Sequence, residues 1–313
     1  MVAKILVCDS LESEGIELLR EAGVEVDEKP TISAQELLAT VSNYDAIVVR
    51  SRTKVTREVI EAGRRLKAVA RAGVGLDNVD VNSAKQRGLQ VISTPNAPTT
   101  SVAELTVALM LDVLRQTSLA DRNMKNGNWI KSKLSGRELR GKTVGIIGAG
   151  GRIGAEVSRI LKVGFGADVI GFDVVDIRQR GAELGIKVAH DLDELLACSD
   201  IVTIHVPYSP ATHHFLDGKR IAAMKKGSVL INTSRGDVID GAALLKALKE
   251  KRLSGAGLDV FHNEPPVEDW EKELVSLPDG ATVCTCHIGA QTVETQNAAS
   301  RMAAELLIKA LKV

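Results

Sequence analysis

Three polar side chains stand where short apolar runs give way to loops: Arg235 in INTSRGDVID, Glu264 in GAGLDVFHNEPP and His287 in VCTCHIGAQT. Open α/β sheets bind ligands outside the carboxyl ends of their strands, so three such ends point to one site. A guanidinium there offers a planar fork suited to a carboxylate. An imidazole moves protons near neutral pH, and a carboxylate beside it holds and tunes it. The set reads as an anion clamp with an acid/base group.

A second chemistry is written in TVGIIGAGGRIGA. Gly148, Gly150, Gly151 and Gly154 resemble a phosphate-binding loop, but G-x-G-x-x-G counted from Gly148 ends on Ile153, and Gly154 comes one residue late. The context is nevertheless complete. A buried strand leads into the glycines, a helix starts near Arg152, and a second strand, DVIGFD, ends at Asp173 about twenty residues on. Backbone N–H groups at a helix start suit a pyrophosphate. A carboxylate at Asp173 accepts hydrogen bonds from ribose hydroxyls and repels a 2′-phosphate, which favours NAD over NADP. Helix packing should hold Gly151 to Gly154 in register. The first glycine slot then falls on Ala149, and a bulged turn at Ala149-Gly150 takes the surplus residue.

Positioning such groups needs strands and helices in alternation, and the chain supplies them. AKILVCD, DAIVVRS, LKAVARAG and LQVIST are short β-rich runs, separated by helical segments at LESEGIELLREAG, TREVIEAG and NSAKQRG. Apolar runs between amphipathic helices indicate a parallel sheet covered on both faces. NAPTTSVAELTVALMLDVLRQT reads as a long helix, with Ser101 and Glu104 as its capping box. A second series follows: KTVGIIGAG, ADVIGFDVV, DIVTIHVP, GSVLINTS, GAGLDV and ATVCTCH. Six strands at this spacing form a doubly wound sheet. TVETQNAASRMAAELLIKALKV is one helix, expected to pack back on the first unit. The fold class is therefore α/β, with two doubly wound parallel-sheet domains.

Composition narrows the function. The 313 residues carry 40 basic and 40 acidic side chains, with 44% apolar residues. Such balance argues against general nucleic-acid or membrane-surface binding, while a small anionic substrate needs only a few local cations. The N-terminal residues do not form a secretory signal, and no stretch has the length to cross a bilayer. Cys8, Cys198, Cys284 and Cys286 lack zinc spacing. No metal site is expected, and the cysteines read as structural thiols in a reducing cytoplasm. Cys284 and Cys286 would share one face of a strand.

Taken together, VRSRTKVT, RAGVGLDNVD, NTPNAPTTSVAELT, GKTVGIIGAGGRIG, SDIVTIHVPYSPAT, INTSRGDVID, GAGLDVFHNEPP and CHIGAQT resemble the D-isomer-specific 2-hydroxyacid dehydrogenases, in that family's order through nearly the whole chain. The resemblance implies a Rossmann NAD-binding domain, 98–287, inserted in a flavodoxin-like substrate-binding domain, 1–97 and 288–313. It implies that Arg235 holds the substrate carboxylate and polarises the C2 oxygen. It makes His287 the group that exchanges the hydroxyl proton and Glu264 the partner that orients it. Asp259 matches the residue at the nicotinamide carboxamide, and Arg152 and Ile153 match the pyrophosphate contacts. Thr233, Ser234 and the segment from His287 through Gly289 to Ala290 match the nicotinamide side. His205, Val206 and Pro207 match a cofactor-facing turn, with His205 as a positioning group. Arg50, Ser51, Val74, Gly75 and Asn96 match positions that face the substrate, and Val74 and Val206 also sit where loops touch the cofactor. Arg52 reads as a surface ion pair.

The branch most resembled oxidises D-3-phosphoglycerate to 3-phosphohydroxypyruvate, the first step of serine biosynthesis. The alternatives are a hydroxypyruvate or glyoxylate reductase, a D-lactate dehydrogenase, or a non-catalytic NAD-sensing protein of the corepressor kind. A homodimer built on the helix from Ser101 and the NWIKSKL arm is also implied. Two departures stand out: Cys286 replaces the usual proline before the histidine, and the chain ends without the C-terminal regulatory domain that many members of that branch carry. Serine feedback through such a domain is not expected.

Overall fold

The computed structural model describes residues 2–278 and 280–312 and divides the chain into two compact units, Met1–Pro98 with Ala290–Val313, and Thr99–Gly289. In the first unit five strands pair: β1 (Lys4–Val7), β2 (Glu25–Glu28), β3 (Ala46–Val49), β4 (Ala68–Arg71) and β5 (Gln90–Ser93). Their order is β2-β1-β3-β4-β5, all parallel. This is the flavodoxin-like winding, with its switch point between β1 and β3. β3, AIVV, is buried along its whole length, as a strand covered on both faces must be. The helix Val293–Leu311 lies against the helix Ser13–Glu21 and against β4 and β5, burying Ala304 and Leu307 with Ile5, Val7 and Leu19. The expected return of the last helix to the first unit is thus found. Val313, which ends the segment read as helix, lies outside the described residues.

The second unit holds seven strands: β6 (Thr143–Ile147), β7 (Asp168–Phe172), β8 (Lys187–Val188), β9 (Ile201–Ile204), β10 (Val229–Asn232), β11 (Gly255–Leu258) and β12 (Thr282–Cys284). The order is β12-β11-β10-β9-β6-β7-β8, again all parallel. The chain runs outward from β6 to β8 and then crosses back to β9, the Rossmann winding. β6 and β9 flank the switch point, so the loops that follow them face each other. The helix Arg152–Phe165 buries Gly154, Ala155, Val157, Ser158 and Leu161 on one face and stops at Gly166, whose φ of +61° provides a left-handed end.

Four local expectations need correction. β2 and β8 escape the apolar pattern. EVDE is polar and KV is two residues long, and both sit at sheet edges, where pairing with one neighbour rather than burial defines the strand. The long helix begins at Thr99, so Ser101 is a buried residue of its first turn and not the cap. S-x-x-E spacing also arises inside a helix that buries its small residues. That helix ends at Arg115, and Gln116, at φ +55°, separates it from a second helix, Thr117–Lys125. Finally, β12 stops at Cys284, so Cys286 lies beyond the strand and the two thiols do not share a strand face.

Candidate active site

The glycine loop follows β6. Gly148 has φ +86°, and a Cβ there would collide with the His205 carbonyl and reach 3.2 Å from Val206. Only glycine fits such a turn. The Gly151 N–H donates to the Gly148 carbonyl at 3.1 Å, closing a tight turn over Ala149 and Gly150. Gly151 is the N-cap, and the helix starts at Arg152. Gly154 packs its bare Cα on the turn: a Cβ would lie 2.9 Å from the Gly148 carbonyl carbon and 3.0 Å from Ala149 Cα. Gly151 to Gly154 therefore keep the expected register, but the first slot belongs to Gly148 rather than Ala149. Ala149 is fully buried, its methyl facing Gly171, and the spare residue is absorbed in the hydrogen-bonded turn.

Asp173, just past β7, accepts from the Gly150 N–H at 3.0 Å and from Val175 N–H at 3.4 Å. It thereby ties the glycine turn to the end of the next strand. Arg152 is exposed and Ile153 half-buried at the helix start. The turn after β9 carries His205, Val206 and Pro207. His205 Nε2 lies 3.0 Å from Thr203 Oγ1, while its Nδ1 is shielded from solvent with no hydrogen-bond partner. Desolvation pulls this imidazole down to about 3, which favours its neutral form at physiological pH.

A histidine–glutamate pair forms across two further strand ends. His287 Nδ1 lies 2.6 Å from Glu264 Oε2. His287 holds a φ of +56°, a conformation costly for a side chain with a Cβ and typical of functional positions. Burial pushes the Glu264 carboxyl up, but the His287 hydrogen bond and charge, the Phe261 N–H and the Arg235 charge outweigh it. The net result lies below the usual carboxylate range. The Arg235 charge is the smallest of these contributions. Arg235 Nη1 donates to the Ser234 carbonyl at 2.7 Å.

Three polar residues and a glycine build this geometry. Asp259, 1% exposed, accepts from Thr285 Oγ1 (2.6 Å), Ile288 N–H (2.8 Å) and Gly289 N–H (2.9 Å). Its carboxylate thus anchors both sides of His287, a task beyond the cofactor contact expected of it. Asn232, also 1% exposed, accepts from the N–H and hydroxyl of Ser234 and donates to the Arg235 carbonyl at 2.8 Å. The Thr233 hydroxyl pairs with Thr106 at 2.8 Å, so its backbone is the part turned to other uses. Gly236 lets the loop after β10 meet the loop after β11: a Cβ there would collide with Phe261. Sequence reading missed Asn232, although an Asn ending a strand before a turn is a signal for an Asx turn.

In the five-stranded unit, Arg50, Ser51, Val74, Gly75 and Asn96 gather on the loops after β3, β4 and β5. Asp9, 5% exposed, accepts from the Arg50 N–H at 2.6 Å and the Thr53 hydroxyl at 2.6 Å. Asn78 Nδ2 bridges the carbonyls of Arg50 and Thr53. Arg71, also missed, donates to the Gly75 carbonyl and reaches Ser51 Oγ at 3.4 Å. Arg52 donates to the carbonyls of Cys8, Pro30 and Ile32 and pairs with Asp9 at 3.0 Å, a bracing role. Arg50 Nη1 makes a 3.3 Å hydrogen bond to the Ser10 carbonyl. Among the described residues no group of His, Cys, Asp and Glu has the arrangement of a metal site, and no helix is long and apolar enough to cross a membrane.

Residues 107–289 match the family described as "D-isomer specific 2-hydroxyacid dehydrogenase, NAD binding domain". The chain is 42% identical to the D-3-phosphoglycerate dehydrogenase of Methanocaldococcus jannaschii, over 99% of its own length and 58% of that protein's. It is 41% identical to the hydroxypyruvate reductase of Thermotoga maritima, over 99% and 97%. The chain thus spans little more than half of the first relative and nearly all of the second. Among solved structures, a glyoxylate reductase from Paecilomyes thermophila matches with a TM-score of 0.88 at 30% identity, covering 99% of this chain and 96% of that one. D-lactate dehydrogenase from Aquifex aeolicus, complexed with NAD and lactic acid, matches at 0.84 and 29%, covering 99% and 95%.

Proposed function

This chain belongs to the D-isomer specific 2-hydroxyacid dehydrogenases, and we propose that it is an NAD-dependent enzyme that oxidises D-3-phosphoglycerate to 3-phosphohydroxypyruvate. The observation that carries the reading is the Glu264–His287 pair at 2.6 Å, in the domain that bears the glycine loop and Arg235.

The loop fits a dinucleotide on its own evidence. Gly148 and Gly154 are places where any Cβ would meet backbone, and Gly151 opens to solvent at the helix start. The N–H groups of Arg152 and Ile153 would hold the pyrophosphate, and Asp173 the ribose hydroxyls. Bound NAD supplies the hydride acceptor. Arg235 holds the substrate carboxylate in its fork. Glu264 engages Nδ1 of His287, which leaves Nε2 as the nitrogen that takes the C2 hydroxyl proton and returns it in the reverse direction. Arg50 is assigned to the substrate phosphate, with Ser51, Val74, Gly75 and Asn96 as its neighbours in that role.

A second reading, reduction of hydroxypyruvate or glyoxylate, is supported by the Thermotoga maritima relative, which this chain matches along nearly all of its length. Comparing kcat/KM for 3-phosphohydroxypyruvate with hydroxypyruvate, glyoxylate and pyruvate separates the two. Wild-type preference for the phosphorylated acid, lost in Arg50→Gln, supports the first reading; a ratio unmoved by the phosphate supports the second. Loss of NADH turnover in His287→Ala excludes a purely sensing role, and absence of turnover on every 2-keto acid restores it. Four unpaired thiols fit a reducing compartment such as the cytoplasm. Trp129, 76% exposed, fits a homodimer contact through the arm formed by residues 128–134. The dimer is tested by the mass of Trp129→Ala in solution.

A further inference from the structure

We propose that Glu271 is a positioning residue for the Glu264–His287 pair, its buried carboxylate clamping both ends of the loop that carries Glu264. The proposal rests on the functional reading above and extends it to a residue that contacts neither member of the pair among its hydrogen-bond partners.

Glu271 lies in the first turn of the helix Asp269–Val275 and is 0% exposed. A carboxylate so placed needs donors. Four supply it: Asn263 N–H on Oε1 at 2.8 Å, and Asn263 Nδ2, Val267 N–H and Glu268 N–H on Oε2 at 3.0, 3.1 and 3.0 Å. Asn263 immediately precedes Glu264, and Val267 and Glu268 follow it. One side chain therefore holds the chain on each side of the candidate catalytic carboxylate. Burial pushes Glu271 up, but these donors, led by the Asn263 N–H, outweigh it and bring it below the ordinary range; it is an anion that the loop wraps.

The loop packs closely on Gly236 at Phe261 but borders open volume elsewhere. Phe261, His262 and Glu268 line a cavity of about 300 Å³ together with Trp270, Glu271 and Leu274. A loop bordered by open volume on one side is located by its hydrogen bonds. The geometry it must maintain is strict, because a hydrogen bond of 2.6 Å is lost within an ångström of displacement. Such a displacement at a catalytic pair costs up to about a hundredfold in rate.

Glu271→Gln keeps the shape but turns an NH₂ toward donors that need an acceptor. The test is a double-mutant cycle with Glu264→Gln, read by kcat with saturating NADH. Expected is a fall in kcat of about tenfold or more in Glu271→Gln, with KM for NADH within about twofold of wild type. In the Glu264→Gln background the same substitution changes kcat by less than about twofold. Equal factors in both backgrounds, or an unchanged kcat in Glu271→Gln, overturn the proposal. If Glu271→Gln does not fold, Asn263→Ala, which removes one side-chain donor, takes its place with a smaller loss and the same non-additivity.

A readout without turnover runs in parallel: the carboxyl carbon of Glu264, followed by NMR against pH. In Glu271→Gln its midpoint rises toward the ordinary Glu value of about 4.3; an unmoved midpoint overturns the proposal. Should the wild-type protein reduce no 2-keto acid, the functional reading fails while this titration still decides the positioning role.

Discussion

Two glycines of one helix give the sharpest test of the glycine loop. Gly154 and Gly164 both lie in Arg152–Phe165. At each, Gly→Ala removes the helix penalty of glycine, worth about 0.8–1.0 kcal/mol in favour of alanine. At Gly164 nothing lies within 4 Å of the new methyl, so the gain stands alone. Gly164→Ala should raise the Tm by about 2–4 °C. At Gly154 the methyl would press on backbone, at 2.9 Å from the Gly148 carbonyl carbon and 3.0 Å from Ala149 Cα, nearer still to the Gly148 oxygen. Backbone in a hydrogen-bonded turn yields poorly, and forced overpacking costs about 1–3 kcal/mol. The larger figure governs because every close atom is main chain. Net destabilisation is then about 2 kcal/mol after the helix gain is subtracted. The turn must move to relieve the contact, and it carries the phosphate-binding N–H groups, so NADH affinity should fall about tenfold, or 1.4 kcal/mol. Differential scanning calorimetry gives the Tm values and NADH fluorescence titration the Kd values. Equal stabilisation by both substitutions, with wild-type NADH affinity at Gly154→Ala, would refute the close packing of helix on turn.

Glu264→Gln removes the charge-assisted hydrogen bond to His287. Both side chains are about two-fifths exposed, which discounts the bond to about 1–1.5 kcal/mol. The expected loss in kcat/KM is about tenfold at neutral pH, and a change under twofold in steady-state assays contradicts the pairing. Asp173→Ala should weaken NADH binding and narrow the preference over NADPH, because the ribose acceptor and the tether to Gly150 are lost together; equal wild-type use of both cofactors sinks the assignment. His205 has its folded value depressed to about 3, below an unfolded value of about 6.5. The unfolded state therefore binds more protons between these limits, and stability rises with pH across that window. Chemical denaturation of wild type from pH 7 to pH 4 should show a falling midpoint, and His205→Gln should flatten the fall. An identical slope in the two proteins contradicts a depressed folded-state value for this imidazole.

Much of this protein is legible in its sequence. Apolar runs and helical periodicity mark the strands and helices in order, because burial on both faces leaves a local composition that needs no partner to be read. Glycine at the loop after β6, and Arg235 and His287 just beyond β10 and β12, are legible for the same reason: each answers a local demand, a turn with positive φ or a strand end. The edge strands β2 and β8 leave no such mark, since their definition comes from the neighbour they pair with. The place of the spare loop residue depends on Gly148 fitting beneath the His205 carbonyl, a contact made only when β6 and β9 lie side by side. Buried carboxylates are the least legible of all. Asp9 holds Thr53, and Asp259 holds Gly289. Glu271 is nearer in sequence to what it holds, yet only the fold buries it and turns the loop donors inward. Their role is to satisfy N–H groups brought together by parallel register, and tertiary structure alone decides which donors meet them and how little water remains.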